Sequence, residues 1–586
     1  MADLLYNVYE YMKKIILATV MAPLALLYLG SCNSGKSPDE QGIATDSATI
    51  ALGQSAFVQQ CSGCHNFRQD GIGPALGGIT NDVPVDWIQH FIRDPKKMLA
   101  SGDERTGRLV KKYHTVMPSF VTASDQEIGG IIAFLHTKKF SGPFAGKTNG
   151  KALEDPIPKH IEMSSLIVEL KLITQFPASS DSGKMPLTRI TKFESGPGSD
   201  ETFVLDLRGK LYRLKNNGVA VYTDLKKLEP KFIPQPGLAT GFGSFAFHPA
   251  FEKNGLFYTT HTEPARTAKA DFSIPDSIKT TLQWVLTEWK ADKPGAFPFS
   301  GKGRELFRAD MVSGIHGVQE ISFNPLAKPG DADFGLLYIG IGDGGAVENG
   351  FPFLAHSREK IWGTVLRIDP AGRNSSNGQY GIPVNNPFSK NQDSKVLPEI
   401  YAYGFRNPHR ISWSKSGQML VCNIGHSNIE SLDIIEPGHD YGWPLREGRF
   451  LLDPNGNLSK VYALPPDDSL YHVTYPVASY DHDEGKAISG GFEYWGSAIP
   501  SLKGKYFFGD IPTGRLFFVD MAALKQGGDA TIREWRVSIN GITKSLTTLC
   551  GSDRVDLHFG RDNRGELYIL TKADGKLYRL ATASGK

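Results

Sequence analysis

Cys61-Ser62-Gly63-Cys64-His65 is the stretch in which residue type and spacing specify chemistry most directly. A Cys-x-x-Cys-His run is the pattern of c-type haem attachment: each thiol can add to a haem vinyl group, and His65 is then held against the iron. A zinc site would need a second pair of thiols or imidazoles, and the other cysteines, Cys32, Cys422 and Cys550, are isolated. A redox dithiol would sit beside a βαβ pattern and leave His65 without a role. A structural disulfide across two residues makes an unusually tight loop. Covalent haem c accounts for all three residues, so the rest of the chain is read for how it serves an electron carrier.

The chain has 586 residues, enough for more than one domain and a large core. A net charge of +2 leaves no basic footprint, which argues against nucleic acid as a partner. Met12-Lys13-Lys14 precedes an apolar run, Ile15 to Leu29, and then Leu29-Gly30-Ser31-Cys32. This is a signal-peptide order, and Pro23 interrupts a run already short for a membrane span. The ending resembles a bacterial lipobox, which implies cleavage before Cys32 and acylation of its thiol, a membrane anchor. A plain secretory signal or a short anchor helix is the alternative. Either exports the chain, to the periplasm or the cell surface, where haem is attached.

Signal peptide 1–32, tether 33–47, a small domain 48–140, a linker 141–165 and a large domain 166–583 are the expected divisions. In the small domain, Ala56-Phe57-Val58 leads as a helix into the haem motif. Trp87, Ile88, Phe91 and Ile92 recur at helical spacing. Ser124-Asp125-Gln126-Glu127 is a capping box, opening a helix with Ile128, Ile131, Ile132 and Leu135 on one face. The order of these parts resembles class I cytochrome c. The resemblance implies Met117 as the sixth iron ligand and Pro74 beside His65; Met98 and His114 are the other residues of ligand type, expected at the surface. His/Met ligation raises the reduction potential, which suits an electron acceptor.

From Leu166 onward the pattern becomes short β runs between Gly, Asp and Asn turns. Seven are clear: 203–205, 256–258, 336–339, 365–368, 419–421, 506–508 and 567–570. Many short strands without a long helix argue for a closed all-β architecture, most plausibly a propeller. The run Gly209 to Leu214 (GKLYRL) recurs as Gly575 to Leu580, equivalent strands at the two ends of a ring.

Phe245-Ala246-Phe247-His248-Pro249, Gly340-Ile341-Gly342-Asp343-Gly344-Gly345, Tyr403-Gly404-Phe405-Arg406-Asn407-Pro408 and Asp440-Tyr441-Gly442-Trp443-Pro444 together resemble the soluble glucose/sorbosone dehydrogenases. That family implies a six-bladed propeller using pyrroloquinoline quinone (PQQ) and Ca²⁺. By resemblance His316 is the general base, Arg406 and Asn407 bind PQQ, and Arg515 lies near it. Gly425 and His426 fall where the family loop offers oxygens to calcium. The chemistry agrees in type: a tricarboxylate calls for Arg or Lys, a hard cation polarises a carbonyl, and His suits proton abstraction near neutral pH. Asp343 and Asp369 read as turn residues, and His482 as a residue lining the mouth.

The expected protein is therefore a small all-α cytochrome c domain followed by an all-β six-bladed propeller. It would be an exported sugar or alcohol dehydrogenase that passes electrons from PQQ to its own haem, and from there to a downstream cytochrome or oxidase. The rival is a cytochrome fused to a non-catalytic carbohydrate- or protein-binding propeller. Gln319-Glu320-Ile321 stands where the family carries Gly-Arg-Leu or Gly-Gln-Leu after the base, and this departure separates the two. Cys32→Ser should move the protein from the membrane to the soluble fraction on cell fractionation; a soluble wild type would refute acylation.

Overall fold

The computed structural model describes residues 42–585, apart from 62–64, 68–69, 71–72, 114–115, 140–149, 199, 216–217 and 236–238. Cys32, Cys64, His114 and the expected signal peptide lie outside the described residues.

The first domain is helical: α1 (Ser47–Gln60), α2 (Ile79–Asp82), α3 (Val85–Arg93), α4 (Pro95–Ala100), α5 (Glu104–Tyr113) and α6 (Asp125–His136). Asp46 caps α1 by accepting from Thr49 N at 2.9 Å. Ser124 caps α6 through Glu127 N at 3.2 Å, but Glu127 does not close the capping box. Its carboxylate accepts instead from Gln60 and Lys184. Ile128, Ile131, Ile132 and Leu135 are all buried, as their spacing predicts. α1 crosses α6 at Gly53, where a Cβ would stand 1.7 Å from the Gly130 carbonyl oxygen, so only glycine permits the approach.

The antiparallel pairings of the second domain group into six four-stranded units, three of them separate sheets and three joined by two parallel pairings into one thirteen-stranded sheet, with a further three-stranded sheet beside them. In chain order their first strands are Ile190–Ser195, Phe242–Phe247, Glu320–Phe323, Pro408–Trp413, Ile488–Glu493 and Leu557–Arg561. The sixth unit is completed by Glu162–Gln175, which precedes the first unit in sequence and pairs antiparallel with Lys576–Ser584. The two copies of the GKLYRL repeat occupy the third strands of the first and last units, Lys210–Lys215 and Lys576–Ser584. All seven apolar runs fall on strands, with only Leu336 just outside. Strands such as Met419–Asn423 and Ile429–Ile435 are buried along almost their whole length, which is why they read as continuous apolar runs rather than alternating ones.

First strands of successive units lie against one another from the second unit round to the sixth and on to the first, and the second unit's first strand meets Thr202–Asp206 of the first unit. Where they meet, Lys192 Nζ donates to Glu320 Oε1 at 2.7 Å, to Ser244 Oγ at 3.2 Å and to Ile321 O at 2.8 Å. Arg410 pairs with Glu320 Oε2 at 3.3 Å and donates to Gln319 O and Thr191 O. One buried carboxylate with two cations thus ties the first four units together.

Part of the expected linker is structured. Leu153 N bonds Val461 O, Ile157 N bonds Asp481, Ile161 N bonds Glu484, and a strand begins at Glu162. Residues 150–165 are therefore fastened to the β domain rather than free to swing, because backbone donors there meet buried carboxylates.

Lys192→Met would leave Glu320 buried with half its pairing. Loss of one partner of a buried pair costs about 3–5 kcal/mol, and denaturant unfolding of the β domain should show a loss of that size.

Candidate functional site

Because the units repeat, every loop that enters a first strand emerges at the same end of those strands; the first strands of the first and last units run parallel. His316 lies in such a loop, 312–319, and Arg406 and Asn407 in another, 404–407.

His316 holds φ 50°, unusual for a residue with a side chain. Its Nδ1 is 2.8 Å from Asp343 Oδ1. Asp343 is fully buried and also accepts from Gly345 N at 2.9 Å and Trp443 Nε1 at 3.1 Å. A carboxylate that collects only donors is an acceptor, so the imidazole carries its proton on Nδ1 and presents the Nε2 lone pair. No described residue bonds Nε2. Gly342 makes the fit possible, since a Cβ there would come within 2.4 Å of His316 O. Asp343, read from sequence as a turn residue, is thus the orienting partner of His316.

Arg406 is buried and shares Glu348 with His426. Burial would raise the Glu348 carboxyl, but Arg406 and His426 hold it well below its ordinary range. Asp343 N donates to Arg406 O at 2.8 Å, so the partner of His316 and the arginine share a backbone link. Asn407 is buried beside them, its amide N on Asn423 at 3.0 Å. Glu447, which the sequence did not single out, organises the loop after the strand Met419–Asn423. Its Oε1 accepts from the backbone N–H of His426, Ser427, Asn428 and Ile429 at 2.7–3.2 Å.

Gly425 and His426 lie in the loop expected to offer backbone oxygens to calcium, and the carbonyl oxygens of Ile424 and Gly425 face the Arg406 guanidinium. Arg515, expected near the cofactor, is held by carboxylates. It donates to both oxygens of Glu534, at 3.1 and 2.6 Å, and to Glu484 at 2.5 Å, with no bond to the His316–Arg406 group.

Other cations and donors take its place. Lys572 is buried with no hydrogen bond from its ammonium among the described residues, and burial, with Arg189, Arg554 and Arg410 nearby, pushes it down to about 8 against the pull of Asp556. The imidazoles of His409 and His558 stand 5.9 Å apart, buried, with all four ring nitrogens unbonded. Arg406 Nε and His426 Nε2 are unbonded too. Orphaned buried donors are costly unless something meets them, and this set fits a planar anion with several carboxylates. His482 lies at the edge of the group, its Nε2 3.0 Å from Glu430. Among the described residues Glu229, His261 and Glu263 also approach metal-binding geometry, but Arg308 and His261 already satisfy Glu263.

In the helical domain Cys61 caps α1, and His65 N donates to Cys61 O at 3.0 Å, which closes the turn of the motif. His65 Nδ1 donates to Pro74 O at 2.9 Å and leaves Nε2 for a metal. Gly73 lies flat on the ring; a Cβ there would be 2.3 Å from Cε1. Phe57, Phe67, Phe134 and Leu135 pack beside Cys61. This free nitrogen, thiol and apolar wall fit haem. Met117 is half-buried between α5 and α6, in a segment that Phe120 N ties to Ile92 O and Arg93 O. Met98 lies half-buried in α4.

Residues 195–579 match the glucose/sorbosone dehydrogenase family model and residues 50–139 the cytochrome c model. The quinoprotein glucose dehydrogenase B of Acinetobacter calcoaceticus is 23% identical over 265 residues, 42% of this chain and 48% of that protein. The hedgehog-interacting protein of Mus musculus is 24% identical over 413 residues, 67% of this chain and 50% of that protein. The chain spans about half the length of the curated relatives it matches. The soluble aldose sugar dehydrogenase of Escherichia coli, in its apo form, aligns at TM-score 0.50 and 18% identity, covering 72% of this chain and all of that one.

Between pH 8 and 10.5 the unfolded chain holds the Lys572 proton and the folded chain does not, so stability rises with pH across that window. The group contributes at most about 3 kcal/mol. The wild-type-minus-Lys572→Met difference in urea unfolding free energy should grow across this window and stay flat below it.

Proposed function

Because the chain belongs to the glucose/sorbosone dehydrogenase family and carries a cytochrome c domain ahead of that region, we propose that it is an exported quinoprotein dehydrogenase of sugars or related alcohols, with its own haem as electron acceptor. The observation that carries the reading is the His316–Asp343 pair, a buried imidazole with one nitrogen locked and the other presented. The resident cofactors would be PQQ in the β domain and haem c in the helical one. When bound, the quinone supplies the hydride acceptor and the haem iron a one-electron relay.

The chain's own residues supply the rest. His316 Nε2 takes the proton of the substrate hydroxyl as the C–H bond breaks. Asp343 compensates the charge the ring acquires, and Trp443 and Gly345 keep that carboxylate from turning away. Lys572, Arg406, Asn407 and the His409–His558 pair would hold the carboxylates and carbonyls of PQQ. Cys61 and Cys64 would hold the haem, with His65 and Met117 as ligands to its iron.

The β domain is on this reading a six-bladed propeller. Six four-stranded units, contacts between their first strands, and a last unit finished by an N-terminal strand support it. An acyl group on Cys32 would anchor the protein outside the cytoplasm, where a downstream cytochrome or oxidase collects the electrons.

The test is aldose oxidation by the full-length protein after adding PQQ, with and without Ca²⁺, followed with a dye acceptor. Loss of a general base removes about 10²–10⁴ of the rate, so His316→Ala should lose at least 100-fold while its haem spectrum stays unchanged. Asp343→Asn should lose less and shift the pH profile. Full activity in His316→Ala would refute the assignment. No oxidation despite bound PQQ would favour a recognition module, the direction in which the hedgehog-interacting relative points.

A further inference from the structure

We propose that the cytochrome domain is docked, not tethered, on the loop end of the β domain where the His316–Arg406 site opens, and that Lys486 joins the two. The contacts all fall on loops that enter first strands. Gly183 and Lys184 lie in 176–189, Lys486 in 482–487 and Asp553 in 545–556. On the helical side Thr122 Oγ1 donates to Gly183 O at 2.9 Å, Glu127 pairs with Lys184, and Lys96 pairs with Asp553. Lys486 Nζ donates to Tyr113 O at 3.2 Å.

The placement on the helical side is specific. Tyr113 ends α5 and Thr122 precedes α6, so the two contacts bracket the segment that carries Met117. The methionine side of the haem pocket therefore faces the dehydrogenase loops. Residues 150–165, fastened to the β domain, shorten the connection that could let the domain wander.

Lys486 is buried, unlike a mobile surface lysine, and also donates to His482 O. From there hydrogen bonds continue: His482 Nε2 to Glu430 at 3.0 Å, Glu430 to Gly425 N at 3.3 Å, and Gly425 O to Arg406. Bonded contact thus runs without a break from Tyr113 to the arginine beside the base. Each substrate oxidised releases two electrons and two protons. A haem held by Cys61, Cys64 and His65 would carry one electron at a time, so an external one-electron acceptor would be needed twice per substrate, while the protons pass to water. A docked haem serves this by a first-order step, with no search between the two transfers.

The docking can be tested apart from the activity. A zero-length carbodiimide joins amines to carboxylates already in contact. The monomer of the full-length protein should yield the Lys184–Glu127 and Lys96–Asp553 cross-links by mass spectrometry; absence of both would overturn the docking. The coupling, which rests on the dehydrogenase reading, is tested by rapid mixing with substrate. Lys184→Glu and Glu127→Lys should each slow haem reduction about tenfold, the swapped double variant should recover, and dye-linked oxidation should stay unchanged in all three. Lys486→Met should slow haem reduction further. Cross-links with unaltered haem reduction in every variant would overturn the coupling. Cross-links with no substrate oxidation in the wild type would sink the dehydrogenase reading and leave the docking standing.

Discussion

The Asp343 carboxylate is the constraint on which the site depends. It collects the His316 imidazole, the Trp443 indole and the Gly345 amide, and its own N–H holds the Arg406 carbonyl. These partners come from the loops of different units, so one buried charge sets their separation. The glycines of the run 340–345 are the condition for it. A side chain at Gly342 would strike His316, and Gly344 and Gly345 hold positive φ, which lets the turn bring the carboxylate under the ring. Without that turn His316 would still be present in the sequence but would have no fixed tautomer.

The balance of charge follows from the same burial. Arg406 is neutralised by Glu348, and its guanidinium stands in front of the Gly425 carbonyl, one of the two oxygens that the family pattern suggested for calcium. Lys572 has no such neutralising bond. A buried ammonium without a bonded partner, beside two imidazoles with no bonds among the described residues, is a destabilising arrangement by itself. It becomes a stabilising one when an anion enters, because the cost of desolvating the cations has already been met in folding.

How far the sequence could be read depended on the range of each interaction. The helix α6 was legible because its cap and its apolar face are local, three and four residues apart. The strands were legible as apolar runs, and their place in the units was not, because burial on both faces erases the alternation that would reveal register. His316 and Arg406 could be found from local motifs. Arg515 could not be placed, since the carboxylates that claim it, Glu484 and Glu534, lie 31 and 19 residues away in sequence. Lys572 and His558 belong to no motif that the sequence singles out; His558 lies on a first strand and Lys572 in the turn after Leu567–Thr571, and only the tertiary fold buries them together. The segment 150–165 has the Gly, Pro and charge content of a free linker, yet its amides find Asp481 and Glu484; composition reports what a segment can do alone, not what it docks against.

The two halves of the molecule solve the same problem in the same way. In each, an imidazole must offer one nitrogen and hold the other, and in each the Nδ1 proton is given to an oxygen fixed by neighbouring glycine: Asp343 for His316, the Pro74 carbonyl for His65. The difference lies in the acceptor. A carboxylate stabilises positive charge on the ring, which suits a residue that must take up a proton. A neutral carbonyl orients the ring with no charge of its own, and burial, outweighing the pull of the Pro74 carbonyl and Asp70, holds the His65 imidazole below its ordinary range, which suits a metal ligand. Either acceptor fixes the tautomer of its ring, as the partners of metal-bound histidines also do, and the carboxylate adds the charge stabilisation that the base proposed for the β domain would use.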